Sequence, residues 1–231
     1  MSMETSQIKS APSNTSTASE IEKASISPLY SFGKRSLDII GASIGLIIAL
    51  PFFLVIGIWY CFGDSKGPLF FKQQRYGKNE KLFNIYKFRS MVVNADEILK
   101  CNKVLYQRYV HNNYKLEQDE DPRITRFGRF LRKSSLDELP QLINVLKGEM
   151  SLVGPRPIVE EELKEYKQKR YDLLAVKPGM TGYWQVCGRS DVGYPERVDL
   201  ELYYVYHQSM YFDIKILLRT LLVVVLKKGA Y

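Results

Sequence analysis

Ile39-Ile40-Gly41-Ala42-Ser43-Ile44-Gly45-Leu46-Ile47-Ile48-Ala49-Leu50-Pro51-Phe52-Phe53-Leu54-Val55-Ile56-Gly57-Ile58-Trp59-Tyr60-Cys61-Phe62 is a run of 24 residues without a charge. It is long enough to cross the hydrocarbon of a bilayer. It starts too late, behind too polar a leader, to be an ordinary signal peptide. Pro51 stands in its middle; a proline there removes a helical hydrogen bond and predicts a kink. Lys34 and Arg35 precede the run, and Lys66, Lys72, Arg75, Lys78 and Lys81 follow it. Basic residues stay on the cytoplasmic side, so both ends are drawn to the same side. Two readings are open. The helix enters, turns at Pro51 and leaves where it came in, or it spans with a kink. Asp38 at the membrane edge needs a cation, and Lys34 or Arg35 is the expected partner.

Outward from this run, residues 1–33 hold nine Ser and three Thr, with two Lys and three Glu. Such a segment has too little apolar surface to order itself and reads as a disordered tail. Residues 64–231 are long enough for one catalytic domain. The net charge is +8; the tail contributes −1, so the rest of the chain carries +9. A basic surplus suits nucleic acid, anionic lipid or a phosphorylated substrate. Cys61, Cys101 and Cys187 are odd in number and far apart, which argues against a disulfide framework or a zinc site. His111 and His207 are too few for a histidine metal cluster.

Pro68–Gln74 and Lys81–Phe88 are rich in aromatic and branched residues and flank Gly77-Lys78-Asn79-Glu80, which predicts a β-hairpin. Met91 to about Asn113 has helical spacing, and an acidic loop follows at Lys115–Pro122. Arg123, Arg126, Arg129 and Arg132 recur every three residues beside Phe127, Phe130 and Leu131. On a helix they form a basic band next to an apolar one, suited to anionic headgroups or simply to solvent. Ile214–Leu226 is apolar but holds Lys215 and Arg219, and is short for a span; it suits an interfacial or core helix.

Chemistry concentrates in Ser134-Ser135-Leu136-Asp137-Glu138-Leu139-Pro140-Gln141. Ser135 and Glu138 match a capping box, whereas Pro140 favours a start with Asp137 as the cap. Either start puts Asp137 at the positive end of a helix dipole, which keeps it ionised. An ionised carboxylate is a nucleophile toward phosphorus or a magnesium ligand; the plainer reading is a capped helix start. Arg129, Arg132 and Lys133 lie just before. In Pro155-Arg156-Pro157 the prolines hold the backbone around Arg156, so its planar fork is aimed with little freedom to lose, as phosphate recognition requires. Lys177-Pro178-Gly179-Met180-Thr181-Gly182 is a turn that could present N–H groups to an anion or be only a turn, and Gly188-Arg189 is similarly open. Asp119-Glu120-Asp121 is a D-x-D triplet, a pattern that holds metal and nucleotide sugar in many glycosyltransferases, but it lies in the acidic loop, where a solvated charge run is the plain reading.

These stretches together resemble the bacterial sugar transferase family, the monotopic polyprenol-phosphate phosphoglycosyl transferases that prime exopolysaccharide and capsule synthesis. The likeness rests on Lys34-Arg35 with Asp38, the Pro51-broken segment, Lys87–Met91, Asp121–Thr125, Leu131–Gln141, Ser151–Pro157, Lys177–Gly182 and Gly188-Arg189. Leu218-Arg219-Thr220 and Gly229-Ala230-Tyr231 look like the hexose-1-phosphate subgroup. Larger members carry extra amino-terminal membrane helices, which are not expected here. The resemblance implies an α+β fold, mostly helical with a small β-hairpin. A Pro-kinked re-entrant helix at 34–63 and interfacial amphipathic helices would hold a catalytic domain, 64–231, at the cytoplasmic face of the bacterial inner membrane. It implies transfer of a hexose-1-phosphate, galactose or glucose, from a UDP-hexose to undecaprenyl phosphate, with release of UMP. Asp137 would be the nucleophile that carries the phosphosugar, with Glu138 beside it, and magnesium (manganese as a substitute) on one or both. Arg156 would bind phosphate, helped by Arg75, Arg89, Arg132, Lys133, Lys177 and Arg189. Membrane lipid, a second copy and downstream glycosyltransferases are the further implied partners, and nucleic acid is not one. The rivals are a direct glycosyltransferase releasing UDP and a non-catalytic membrane-tethered adaptor.

Overall fold

The structure, a computed structural model, describes residues 27–62, 66–112, 116, 119–188 and 192–225. Its first element is one long helix, α1 (Pro28–Trp59). Pro28 takes the first helical position, where its missing N–H is not needed. The helix therefore begins inside the stretch expected to be tail, and Gly33 lies within it. The tail up to residue 26 falls outside the described residues. Pro51 lies inside the helix, which continues on both sides of it. A return to the same side would have to come from a bend within one helix, not from two helices joined by a loop.

One face of α1 is seated on the rest of the molecule. Asp38, Ala42, Ala49 and Ile56 are its buried positions, four and seven residues apart, which is the spacing of a single helix face. The seat is close because its residues are small: a side chain on Gly45 would touch Leu142, and one on Gly41 would collide with Leu152. The opposite face, with Ile40, Ile44, Ile47, Ile48, Leu54, Val55 and Ile58, is exposed. By length and hydropathy this is the one membrane-length helix among the described residues, and its outer face associates it with a membrane.

The hairpin forms as expected. Strands β1 (Phe70–Tyr76) and β2 (Leu82–Phe88) pair antiparallel, with Phe70 opposite Phe88 and Tyr76 opposite Leu82. The expected helix from Met91 is instead two, α2 (Ala95–Cys101) and α3 (Lys103–His111). Asn102 divides them: its side chain accepts from Leu105 N at 3.0 Å and caps the second. Met91 bridges to Ile124 instead of joining a helix. Helix α4 (Arg126–Lys133) is capped by Thr125, whose Oγ1 accepts from Gly128 N at 2.9 Å. Arg123 precedes this helix, so it does not belong to the basic band.

Helix α5 (Gln141–Lys147) packs on α1 and ends at Gly148, whose φ of 80° is the left-handed exit glycine permits. Strands β3 (Ser151–Val153) and β4 (Gly179–Thr181) pair in parallel. Gly179 lies so close to Gly154 that any side chain on it would collide with the Gly154 backbone. Its N–H goes to Pro155 O at 2.8 Å, so the turn expected at Lys177–Gly182 contains the strand Gly179–Thr181 and this amide is spent on the fold, not held for an anion. The remaining helices are α6 (Glu160–Leu163), α7 (Arg170–Leu173), α8 (Tyr183–Cys187), α9 (Glu196–Tyr206) and α10 (Met210–Val225).

The membrane-edge charges do not pair as expected. Lys34 Nζ donates to Asp213 of α10 at 2.9 Å, to Val153 O at 3.0 Å and to Tyr204 Oη at 3.1 Å. Arg35 reaches the carbonyls of Val145 and Leu146 at 2.7 and 2.8 Å, closing the end of α5. Asp38 accepts instead from Ser151 Oγ at 2.9 Å and Leu152 N at 2.8 Å. Sequence proximity along α1 suggested a local pair; the docked domain offered each charge a better-placed partner.

Candidate active site

Asp137 and Glu138 sit on a single 3₁₀ turn, Leu136–Glu138, and not at a helix cap. Ser135 has left-handed backbone (φ 57°) and makes no capping bond, and α5 starts only after Pro140. Neither expected start of the helix is the observed one. Pro140 has no N–H to give, so the helix hydrogen bonding begins beyond it while the chain ahead closes a tighter turn. Asp137 is 8% exposed. Burial pushes its carboxyl up to about 6; the negative charge of Glu138 adds to this, and Lys87 and Arg132 oppose it. A helix dipole was expected to keep it ionised; no α-helix starts at Asp137, and desolvation raises the carboxyl instead. For Glu138 burial acts the same way, but the charge of Lys87, that of Arg156, and hydrogen bonds from Lys87 and Gln141 outweigh it and hold the carboxyl below its ordinary range. Two adjacent carboxyls are thereby pushed apart, as in sites where neighbouring acids take different roles.

Glu138 faces a solvent-open cleft with about 270 Å³ of empty space, lined also by Arg75, Ile85, Lys87, Gln141, Arg156, Pro157, Gly179, Met180 and Gln185. The hairpin supplies one wall. Lys87 shares the inward face of β2 with the buried Phe83 and Ile85, and its Nζ donates to Glu138 Oε1 at 2.7 Å. Arg75 on β1 donates from Nη2 to Gln73 at 2.6 Å and from Nη1 to Pro157 O at 3.2 Å. The proline-bracketed loop brings Arg156 to the same cleft. Among the described residues, Nε of Arg75 and Nε of Arg156 are buried and make no hydrogen bond. A donor left without a partner in a buried place costs stability unless a ligand satisfies it.

Of the expected phosphate ligands, Arg75 and Arg156 reach this cleft. Arg132 instead donates to Ser90 Oγ at 2.8 Å, close enough to Asp137 to favour its charge. Arg89 is buried and held by Pro68 O and Met91 O at 2.9 and 3.1 Å, which makes it a brace for the hairpin end and no wall of the cleft. Lys133 points to solvent near Asp119, 3.9 Å away. Lys177 lies by Arg35 and Gly148, away from the cleft. Arg189 falls outside the described residues. Lys87, Gln141 and Gln185 were not expected. Lys87 had a signal: a lysine at a core-facing strand position asks for a buried counter-charge.

The D-x-D triplet does not face the cleft. Asp121 is buried and takes both Nε and Nη2 of Arg123 at 2.8 Å, so it is an internal ion pair and not part of a solvated run. Asp119 lies 3.5 Å from Arg129 at the surface. No group of three or more His, Cys, Asp or Glu that could hold a metal occurs among the described residues. Asp137 and Glu138 are hard oxygen donors of the kind magnesium takes, and water and phosphate would have to complete its shell. They do not form a closed cage.

Residues 29–227 match the bacterial sugar transferase family. The chain is 50% identical to the undecaprenyl-phosphate galactose phosphotransferase of Salmonella typhimurium over 203 residues, which cover 87% of this chain and 42% of that protein. It is 41% identical to the exopolysaccharide production protein ExoY of Sinorhizobium fredii over 230 residues, covering 97% of this chain and 100% of that protein. It is 39% identical over 206 residues to the UDP-glucose:undecaprenyl-phosphate glucose-1-phosphate transferase of Escherichia coli, 86% of this chain and 41% of that one. The chain spans less than half the length of the first and third of these relatives and the whole of the second. A match across nearly the entire helix–hairpin–cleft assembly means that this chain belongs to the bacterial sugar transferase family.

Proposed function

We propose that the protein transfers a hexose-1-phosphate from a UDP-hexose to undecaprenyl phosphate and releases UMP. The observation that carries this reading is a cleft lined by Glu138 and by two arginines with unused buried N–H groups, with Asp137 buried next to Glu138 on the same turn and their carboxyls displaced in opposite directions. The Asp137 carboxylate attacks the phosphorus that bears the sugar. The bond from that phosphorus to the bridging oxygen breaks, and UMP departs with the oxygen. A phosphate oxygen of the lipid then attacks the same phosphorus and displaces Asp137, leaving a lipid-linked diphosphate sugar. No proton need move in either step. A carboxyl near 6 is still largely ionised at neutral pH and is a better nucleophile than an ordinary aspartate. Glu138, kept ionised by Lys87, would be an oxygen ligand for magnesium, which when bound would neutralise the diphosphate. Arg156 and Arg75 bind the phosphate oxygens as planar forks.

The membrane placement follows from how α1 is held. Contacts to one body run from Lys34 to Tyr60, about 39 Å at 1.5 Å per residue. A helix crossing a hydrocarbon core of about 30 Å would drag that body, charges included, into the bilayer. A helix that dips in and returns, its exposed face in lipid, leaves the cleft at the cytoplasmic surface. Phe127 stacks on Trp59 at 4.9 Å and Phe130 of α4 is exposed, placing more aromatic surface at that level. Incubating purified protein with undecaprenyl phosphate and a panel of UDP-sugars tests the reaction. With UDP-hexose alone UMP should stop at about one equivalent per protein, and continued release should need both substrates. UDP instead of UMP would establish direct glycosyl transfer, and no nucleotide release with any sugar would favour the adaptor.

A further inference from the structure

Glu160, Glu161 and Glu162 are consecutive, yet only Glu162 is buried. It follows the Arg156 loop directly and sits among arginines. Its Oε2 lies 3.4 Å from Nη1 of Arg75 and accepts from Val159 N at 3.3 Å, while Oε1 lies 3.5 Å from Nη1 of Arg197. The same Arg75 nitrogen donates to Pro157 O, the residue after Arg156. Arg197 is buried behind, held by Glu201 at 3.1 Å and stacked 4.3 Å from the Trp184 ring.

We propose that Glu162 is a positioning residue for the diphosphate-binding cleft: its carboxylate holds the Arg75 guanidinium against the Arg156 loop, so that two like charges share one wall and grip one nucleoside diphosphate. Without a negative charge between them, two half-buried guanidinium groups repel, and Arg75, held otherwise only by Gln73 and Pro157 O among the described residues, is pushed from its place. The field is consistent with this. Burial raises the Glu162 carboxyl, but Arg197, Arg156 and Arg75 outweigh it and keep the group below the usual carboxylate range. Burial and the charge of Arg156 bring Arg75 down to about 10, and Glu162 opposes that fall. The contacts near 3.4 Å are long for hydrogen bonds, so Glu162 acts through charge more than through a fixed clamp.

This inference rests on reading the cleft as a nucleotide-sugar site, so two measurements are paired. UDP binding by titration calorimetry reports the grip even if no transfer is seen, and UMP release reports the reaction. Wild type failing to release UMP while binding UDP would remove the proposed reaction and leave this inference standing. Glu162→Gln makes the cleft more positive, yet by releasing Arg75 it should raise the UDP dissociation constant about tenfold and lower kcat about ten- to a hundredfold; an unchanged or tighter UDP affinity would show that Glu162 does not position the grip. Glu162→Asp, which keeps the charge, should recover most of the rate. In an Arg75→Gln background Glu162→Gln should have little further effect on kcat. A kcat within about twofold of wild type, or losses from the two substitutions that multiply independently, would overturn the proposal. If Glu162→Gln does not fold, Arg75→Gln is measured alone; UDP affinity and kcat both within about twofold of wild type would overturn the proposal, because Glu162 would then have no gripping arginine to position.

Discussion

Asp137 is held in a state that folding alone would not choose. Its carboxyl is raised from 3.8 to about 6. Between those values the folded protein binds a proton that the unfolded chain releases, so stability falls as pH rises through this window and is level above it. Asp137→Asn removes that penalty. At pH 7.5 its melting temperature should equal or exceed that of wild type, and the gap should shrink toward pH 4. UMP release should nevertheless be abolished. Retained turnover in this variant would exclude Asp137 as the nucleophile. A single-turnover UMP burst in the wild type should lose amplitude or rate on the acid side with a midpoint near pH 6; a midpoint near 4 would contradict a buried nucleophile. Arg156→Lys keeps the charge but loses the fork, and should slow the reaction about ten- to a hundredfold, in line with the roughly 1.5–3 kcal/mol typical of a charge-assisted hydrogen bond. Kinetics within about twofold of wild type would show that charge suffices.

Among the elements, α1 has two faces with separate duties. Ala42 is fully buried against Phe83, Ile85, Leu142, Val145 and Met150. Ala42→Leu overpacks this seat and should cost about 1–3 kcal/mol, seen as a lower melting temperature in detergent micelles. Ile44→Ser on the exposed face should leave that temperature nearly unchanged, because surface changes are usually within about 0.5 kcal/mol. It should instead weaken retention in washed membranes. Equal melting temperatures for the two variants would mean that the small-residue face is not a packing surface. The hairpin was legible because aromatic runs flank a polar turn. The break at Asn102 was not, because helical spacing continues across it and only the side-chain cap on Leu105 reveals it.

For the whole molecule, both ends of α1 are tied to one body, at Lys34–Asp213 and at Tyr60, whose hydroxyl donates to Arg89 O. Single cysteines placed in the residues before Ser27 and just after Phe62, in a background lacking Cys61, Cys101 and Cys187, should both resist an impermeant thiol reagent in intact cells and react once cells are opened. Labelling of the amino-terminal site alone in intact cells would establish a spanning helix. The same tethering makes the cleft a product of the assembled domain: β2 brings Lys87, the Arg156 loop brings its guanidinium, and the turn before α5 brings Glu138.

By itself the sequence determined the membrane-length apolar run, the hairpin, the Asp137–Glu138 pair and the aimed Arg156, because each depends on residues close together in the chain. Periodicity, turn chemistry and proline geometry act over a few residues and can be read there. Tertiary structure alone decided which cations serve the site. Arg75, Arg89, Arg132, Lys133 and Lys177 are similar as letters, and only packing sends Arg75 to the cleft, Arg89 to backbone carbonyls and Lys133 to solvent. It likewise moved Lys34 from its neighbour Asp38 to Asp213, far along the chain. A buried charge takes the partner that space offers, and that partner's distance in sequence carries no force.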